Sequence, residues 1–196
     1  MTLSLVHCNP ATGTVAAITA TGGVAVGGYV HHCWRGIGAC ATQGRFTNPW
    51  YPARIYEALA AGASARQALR AAISEDNDSG SRQCLVMDSH GRTSAHSGAE
   101  NVPEVAETCF PSVAAAGNML QSTEVVRIFA EQFLRLSATN SSAAIQRDES
   151  PRFPIHQAPI DLRIDWSEDV VGALRALVDE FMAENFQAFW RQLPLR

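Results

Sequence analysis

The sequence contains no lysine, because all 15 of the basic residues among its 196 residues are arginine. Schiff-base formation, pyridoxal phosphate attachment, Ser-Lys dyads and the lysine of a phosphate-binding loop all need a lysine amine. The arginine guanidinium does not replace that amine, since it does not deprotonate in proteins. Any general base in this chain is therefore a histidine, a carboxylate or a free amino terminus.

Formal charge is almost absent from the first 44 residues, where Arg35 is the only Asp, Glu, Arg or Lys. Burying an unpaired charge is costly, so this depletion indicates a buried segment. Short β-rich runs at 3–6, 13–20, 24–30 and 36–42 are separated by turn signals such as Asn-Pro and Gly-Gly. We predict that these runs are strands at the centre of a covered sheet.

Long apolar runs are missing as well. No run reaches the roughly 20 residues that a membrane-spanning helix needs, and no basic segment precedes an apolar core as in a signal peptide. The net charge of −4 indicates no basic patch for a nucleic-acid backbone. We therefore expect a cytoplasmic protein that binds neither nucleic acid nor a membrane.

The five cysteines are odd in number and none has CxxC spacing. Reduced, buried thiols are therefore expected rather than a disulfide framework. The length of 196 residues suits one well-cored domain over 1–196 and is short for two.

Beyond the first strands, helices and strands are predicted in an order that does not alternate strictly. The predicted elements are helices over 52–61 and 64–73, a hairpin of 83–88 with 92–96, a strand over 112–116, a helix over 122–136 and a strand over 160–165. A final helix has an apolar stripe from Val170 to Phe181 and an aromatic end at Phe186–Trp190, which predicts a homo-oligomer contact or additional core. This order indicates an α+β class with helices outside the sheets.

Several segments taken together resemble a known family. They are Met1–Val6, Ala25–Gly27, Gly36–Gln43, Asn48–Pro49, Arg82–Gln83 leading to Asp88, Gly117–Met119, and Asp161–Asp165. The combination is similar to domain-of-unknown-function family 1028, which is grouped with the N-terminal nucleophile (Ntn) hydrolases. The resemblance implies a four-layer αββα sandwich, two antiparallel sheets between helices, whose nucleophile is the first residue of the mature chain. Residues 137–144 depart from the family pattern, so no contact is carried over there.

The implied nucleophile is Thr2, once Met1 has been trimmed. Its hydroxyl would attack a carbonyl while its α-amine, with an ordinary pKa of about 7.7–8.0, takes the proton. Asn118, in a Gly-Asn-Met turn, is the candidate donor to the developing oxyanion. The plainer alternatives are that Thr2 is merely a small residue after an initiator methionine, and that Asn118 is a turn residue.

A group of polar residues near the ends of buried strands is predicted to bind substrate. Arg45 suits a carboxylate, because its guanidinium pairs with it through two hydrogen bonds, while Gln43 and Asn48 suit an amide. The predicted substrate-binding residues are Thr21, His31, Thr42, Gln43, Arg45 and Asn48. The structural alternative is an ordinary loop with a surface ion pair.

The histidine-rich run His31-His32-Cys33 supports a rival function. With His7, His90, His96 or a carboxylate it could bind zinc and activate water, although no compact ligand motif such as HExxH is present. A non-catalytic small-molecule-binding protein is a third alternative. The favoured interpretation is a cofactor-free, metal-free amidohydrolase that cleaves an amide, cyclic amide or ureido C–N bond of a small molecule.

Overall fold

The computed structural model describes residues 1–23 and 29–139, together with isolated positions at 169, 172–173, 175–176, 179–180 and 183. Eight strands and three α-helices form the described part. In chain order they are β1 (Thr2–Asn9), β2 (Thr14–Thr21), β3 (His31–Trp34), β4 (Gly38–Gly44), α1 (Tyr51–Ala60), α2 (Ala65–Ile73), β5 (Arg82–Asp88), β6 (Thr93–Ser97), β7 (Ala106–Phe110), β8 (Val113–Asn118) and α3 (Glu124–Thr139). A 3-10 turn, Ser79–Ser81, precedes β5.

The strands form two four-stranded sheets, and all of their pairings are antiparallel. One sheet has the order β2-β1-β8-β7 and the other β3-β4-β5-β6. The predicted α+β class with two antiparallel sheets is confirmed. The uncharged β1 lies inside its sheet with a partner strand on either side, and Leu5 and Val6 are fully buried.

Three apolar clusters hold the elements together. The first lies between α1, α2 and the outer face of β4 and β5, with Tyr51, Ile55 and Leu69 at its centre. The second lies between the two sheets and is built from small side chains around Val6 and Met87. The third packs α3 against the outer face of β1 and β8. Since successive residues of a strand face opposite sides, each sheet contributes to two clusters.

Most of the predicted elements are present with boundaries shifted by a few residues. Ser64 caps α2 through a reciprocal capping box with Gln67, as predicted. The edge strand β7 was not predicted, because its alternating exposed residues and short length resemble a loop in sequence. Within the described residues no helix is long and apolar enough to cross a membrane.

Several predictions fall wholly or partly outside the described residues. For the strand over 24–30, positions 24–28 lie outside, and 29–30 form a turn and a bend that lead into β3. The predicted strand over 160–165 lies outside as well, and so does the aromatic end on which the homo-oligomer prediction rests. The described positions of the final helix at 172–173, 175–176 and 179–180 have helical backbone.

All five cysteines are free thiols. Cys8, Cys40 and Cys84 are buried, Cys33 is half-buried and Cys109 is exposed on β7. Burial raises the pKa of the Cys40 thiol well above its ordinary value, with the neighbouring thiols adding to the effect. These buried cysteines therefore act as small apolar side chains.

Candidate active site

A cluster of neutral polar side chains lies between the two sheets at one end of the molecule. Its four members, which we call the inter-sheet polar cluster, are Ser4, Gln43, Gln83 and Asn118. Each is at most 3% exposed. Buried polar groups persist in a core only when they are hydrogen-bonded, so the geometry of these four side chains is tightly determined.

The alternation of the strands explains why these residues meet. On β1, Ser4 shares a face with Val6, and on β8, Asn118 shares a face with Ala116, both of which belong to the cluster between the sheets. On β4, Gln43 follows Ala41 on that face in the same way. The layer between the sheets is thus apolar along most of its length and polar at this end.

Hydrogen bonds connect the cluster from one sheet to the other. The Ser4 hydroxyl donates to Gln43 Oε1 at 2.6 Å, and Gln43 Nε2 donates to Gln83 Oε1 at 2.6 Å. Asn118 Nδ2 donates to the same Gln83 oxygen at 3.3 Å. Gln43 Nε2 also reaches the Ala116 carbonyl at 3.3 Å. The two sheets are therefore joined by side-chain amides as well as by apolar packing.

The other side of the Gln83 amide faces only acceptors. Its Nε2 lies 2.9 Å from Ser97 Oγ and 3.1 Å from the carbonyl oxygens of Gly117 and Ala106. The Ser97 hydroxyl donates to the Glu107 carboxylate at 2.5 Å, so its oxygen is left to accept from Gln83. This arrangement fixes which way the Gln83 amide points.

Thr2 lies at the open end of this layer. It is the direct partner of Asn118 on β8 and of Thr21 on β2, and its hydroxyl is 3.1 Å from that of Thr21. Thr2 is half-buried, whereas the Met1 side chain before it is 56% exposed. The Met1 carbonyl accepts a hydrogen bond from the Gly22 N–H at 3.1 Å. Thr2, Thr21, Gln43 and Asn118 are therefore brought together.

His31 and Cys33 share one face of β3, and Cys33 packs against the cluster between the sheets. His32 is on the opposite face and stacks on Trp34, with ring centroids 6.0 Å apart. Across residues 1–23 and 29–139, no three His, Cys, Asp or Glu side chains come together as a metal site would require. Two of the histidines proposed as partners lie elsewhere: His7 bonds the Ser112 carbonyl and His96 the Ser79 carbonyl.

Thr42, Asn48 and Arg45 are not brought to the inter-sheet polar cluster. Thr42 follows Cys40 on the helix-covered face of β4, where its hydroxyl lies 3.0 Å from that of Thr47. Arg45 is exposed, and its guanidinium lies 5.4 Å from the centroid of the Phe46 ring. Because neighbouring residues of a strand face opposite sides, Thr42 and Gln43 lie in different layers.

Asn48 belongs to a separate buried ionic group. The Asp76 Oδ2 atom accepts from Asn48 Nδ2 at 2.8 Å, from the Tyr51 hydroxyl at 2.9 Å and from Arg82 Nε at 3.0 Å. Burial alone would raise the pKa of Asp76, but these hydrogen bonds outweigh it and hold that pKa well below its ordinary value. Burial and the neighbouring carboxylate raise the pKa of Tyr51. This group ties α1 to β5 on the helix-covered face of the sheet, apart from the inter-sheet polar cluster.

Comparison with known proteins identifies the family. A model described as a family of unknown function, DUF1028, matches residues 2–174. The chain belongs to DUF1028. The crystal structure of protein SPO2555 from Silicibacter pomeroyi, to which the DUF1028 family model is also assigned, is similar to this chain with a TM-score of 0.84. The two sequences are 27% identical, and the match covers 99% of this chain and 95% of that chain. The search of curated proteins gives no match.

Ser4 and Gln83 are the members of this DUF1028 site that sequence reasoning missed. Both belong to segments that carry the family resemblance, but neither was given a role. A signal was available: Ser4 shares the alternation of Thr2 and Val6, and Gln83 is a neutral polar residue directly before the apolar run Cys84–Met87 of β5. What the sequence could not provide was the pairing of β1 with β8, more than 100 residues further along the chain.

Proposed function

We propose that this DUF1028 protein is an Ntn-type amidohydrolase that cleaves an amide, cyclic amide or ureido C–N bond of a small molecule. The observation that carries the proposal is the direct pairing of Thr2 with Asn118 at the polar end of the layer between the sheets. It puts a hydroxyl and a carboxamide side by side, since opposite residues of an antiparallel pair have Cβ atoms about 4.5–5.5 Å apart.

The arrangement of the apolar clusters supports the four-layer αββα sandwich of the Ntn hydrolases. One cluster covers the outer face of β4 and β5 with α1 and α2, and another covers the outer face of β1 and β8 with α3. The third lies between the sheets. Fold alone does not assign an activity, so the proposal rests on the residues at the end of β1.

Thr2 becomes a complete nucleophile when Met1 is removed. The Met1 side chain is 56% exposed, and a small second residue suits the removal of methionine by an aminopeptidase. Removal gives Thr2 a free α-amine next to its own hydroxyl, at the cost of the hydrogen bond between Gly22 and Met1. An α-amine titrates near neutrality, and in this lysine-free chain it is the amine best placed to act as a base.

The proposed reaction then runs in two steps. Thr2 Oγ1 attacks the substrate carbonyl and its proton passes to the α-amine, while Asn118 Nδ2 donates to the oxyanion. The C–N bond breaks, the leaving nitrogen takes the proton from the α-ammonium, and an ester on Thr2 remains. Water adds to this ester and gives its proton to the α-amine. The bond from the acyl carbon to Thr2 Oγ1 then breaks, Oγ1 takes that proton back, and the acid is released.

The chemical class of the substrate follows from the same site. The inter-sheet polar cluster contains no formally charged side chain, which favours a neutral amide group as the part of the substrate nearest Thr2. Thr21, whose hydroxyl lies 3.1 Å from that of Thr2, is placed to contact the substrate.

We propose that the protein is cytoplasmic and acts as a homo-oligomer without a cofactor.

The first test examines the nucleophile. Mass spectrometry of the purified protein should show that Met1 is absent, and phenylboronic acid should form a tetrahedral adduct on Thr2 that boron NMR detects. Thr2→Ser should retain the adduct and Thr2→Ala should lose it. Thr14→Ala, at the far end of the same β1–β2 ladder, should behave like the wild type. A full boron signal in Thr2→Ala would exclude Thr2 as the nucleophile.

The second test examines the reaction class. A panel of small neutral amides, cyclic amides and ureido compounds is incubated with the Met1-trimmed protein, and release of amine or ammonia is measured. We expect turnover of at least one compound by the wild type and none by Thr2→Ala. Turnover that is equal in the two proteins would contradict the proposal.

A further inference from the structure

Gln83 determines the orientation of the Asn118 carboxamide. We infer that Gln83 is a positioning residue, which acts on the reaction through Asn118 and not by touching substrate. The inference rests on the proposed function, because it assigns Asn118 as the donor to the oxyanion. Its physical basis is the set of hydrogen bonds around a Gln83 side chain that is fully buried.

The direction of the Gln83 amide is set by what surrounds its two ends. Nε2 has only acceptors around it: Ser97 Oγ, and the carbonyl oxygens of Gly117 and Ala106. Turning the amide around would point Oε1 at two carbonyl oxygens, and buried acceptors facing one another lose their hydrogen bonds at a cost of about 1–3 kcal/mol per group. Oε1 therefore has to point at Gln43 and Asn118.

The orientation of the Gln83 amide also fixes that of the Asn118 amide. Because Gln83 presents an oxygen, Asn118 has to present Nδ2 to it and not Oδ1, as the 3.3 Å contact shows. One of the two Nδ2 hydrogens is then held by Gln83. Within residues 1–23 and 29–139 the other hydrogen has no acceptor, and the side chain lies on the same face as Thr2, its direct partner.

A carboxamide that is free to turn would offer the oxyanion either a donor or a second acceptor. The contact with Gln83 excludes the orientation in which Asn118 Oδ1 faces the oxyanion. The donor is therefore in place before substrate binds, and oxyanion stabilisation depends on such preorganisation. The sheet that contributes Gln83 is not the sheet that contains Thr2 and Asn118. Packing of the two sheets thus sets the geometry of the site.

The inference is tested with two substitutions at this one position. Gln83→Leu removes the acceptor, and we expect roughly tenfold weaker phenylboronic acid binding, the effect of one lost hydrogen bond in the site. Gln83→Glu retains an oxygen toward Asn118 and regains a donor only when it is protonated. Its affinity relative to the wild type at the same pH should approach one at low pH and fall as pH rises.

Folding is checked by circular dichroism for each variant, and Gln132→Leu on the exposed face of α3 is the control. Wild-type affinity in a folded Gln83→Leu protein, or a Gln83→Glu to wild-type ratio that does not change with pH, would overturn the inference. A purely structural role would lower the folded fraction, which circular dichroism measures at each pH, and would leave the affinity of the folded protein unchanged.

A second measurement requires no activity. The Asn118 side-chain amide signals in the NMR spectrum, assigned by their loss in Asn118→Asp, should exchange with water at least tenfold faster in Gln83→Leu than in the wild type, because the hydrogen held by Gln83 is then released. Equal exchange rates in the two folded proteins would overturn the inference. If Gln83→Leu exchanges faster but the wild type binds no boronic acid, the proposed function fails while the role of Gln83 in orienting Asn118 stands.

Discussion

Thr2 and Asn118 are direct partners in the β1–β8 ladder, and both side chains face the layer between the two sheets. Thr2 is half-buried and lies at the open end of that layer, whereas Asn118 is 1% exposed and lies inside it. A hydroxyl that can attack and an amide that can stabilise the resulting oxyanion are thereby neighbours. The proposed chemistry depends on this pair.

Removing the amide of Asn118 should reduce turnover far more than binding. We expect Asn118→Ala to lower kcat roughly 100-fold, the usual effect of losing one donor to an oxyanion, with little change in KM. Steady-state kinetics on a substrate found in the amide panel gives the two constants. Asn9→Ala, at the opposite end of β1, is the matched control and should leave both unchanged. Equal kcat in Asn118→Ala and the wild type would remove Asn118 from the mechanism.

Ser4 and Gln43 should be energetically coupled, because the Ser4 hydroxyl donates to Gln43 Oε1 at 2.6 Å inside the core. Ser4→Ala leaves the buried Gln43 Oε1 without its donor, at about 1–3 kcal/mol, while Gln43→Met leaves the Ser4 hydroxyl with its 2.9 Å contact to the Thr19 hydroxyl and leaves the Gln83 amide oxygen with one donor fewer. The double variant removes both ends of the bond, so it should be more stable than the sum of the single effects predicts, by about 1 kcal/mol or more. Urea denaturation measures the three free energies of unfolding.

The control for that cycle pairs Ser4→Ala with Thr42→Val. Thr42 is the neighbour of Gln43 in sequence, but it faces α1 and α2 and contacts Thr47. The two effects should add within about 0.5 kcal/mol. Coupling as large as that between Ser4 and Gln43 would mean that the two layers are not independent.

Much of the fold could be predicted from local patterns in the sequence. The uncharged start indicated buried strands, and Ser64 with Gln67 marked the beginning of α2. The site was harder to predict, because its members come from β1, β4, β5 and β8. Local periodicity does not show which of these distant strands pair or pack together. Thr42 and Gln43 could have been separated by alternation alone, since only one of two consecutive strand residues faces a given layer.

Ion pairing at Asp76 should make the protein sensitive to acid. The pKa of Asp76 is lower in the folded protein than the ordinary value of about 3.9. Its contribution to stability is therefore present above that ordinary value and is lost as pH falls toward the folded-state pKa. Asp76→Asn should lower the free energy of unfolding at pH 7 by about 3 kcal/mol, since Arg82 is left as a buried charge that has lost its closest partner.

Two comparisons check this interpretation. Below about pH 4 the difference in stability between the wild type and Asp76→Asn should shrink, because the Asp76 carboxyl group of the unfolded wild type is then being protonated while that of the folded protein is still ionised. Asp78→Asn is the control: its carboxylate is 79% exposed and lies 3.6 Å from Arg82, so the substitution should change stability by less than about 1 kcal/mol. A difference for Asp76→Asn that does not vary with pH would contradict the assignment.

The N-terminal cap of α2 offers a way to separate stability from the site. Ser64→Ala removes the side-chain acceptor for the Gln67 N–H and should lower the free energy of unfolding by about 1 kcal/mol. Since α2 covers the outer face of the sheet that does not contain Thr2, phenylboronic acid affinity should not change. Weaker binding in a fully folded Ser64→Ala protein would show that general destabilisation reaches the site. The loss of affinity in the Gln83 variants would then have to be compared with the loss in Ser64→Ala.

The most direct test of the central claim is a crystal structure of the purified protein with phenylboronic acid. We expect a chain that begins at Thr2, a bond from boron to Thr2 Oγ1, and a boronate oxygen within hydrogen-bond distance of Asn118 Nδ2. A chain that retains Met1 and holds no boron at Thr2, or boron bound to another side chain, would contradict it.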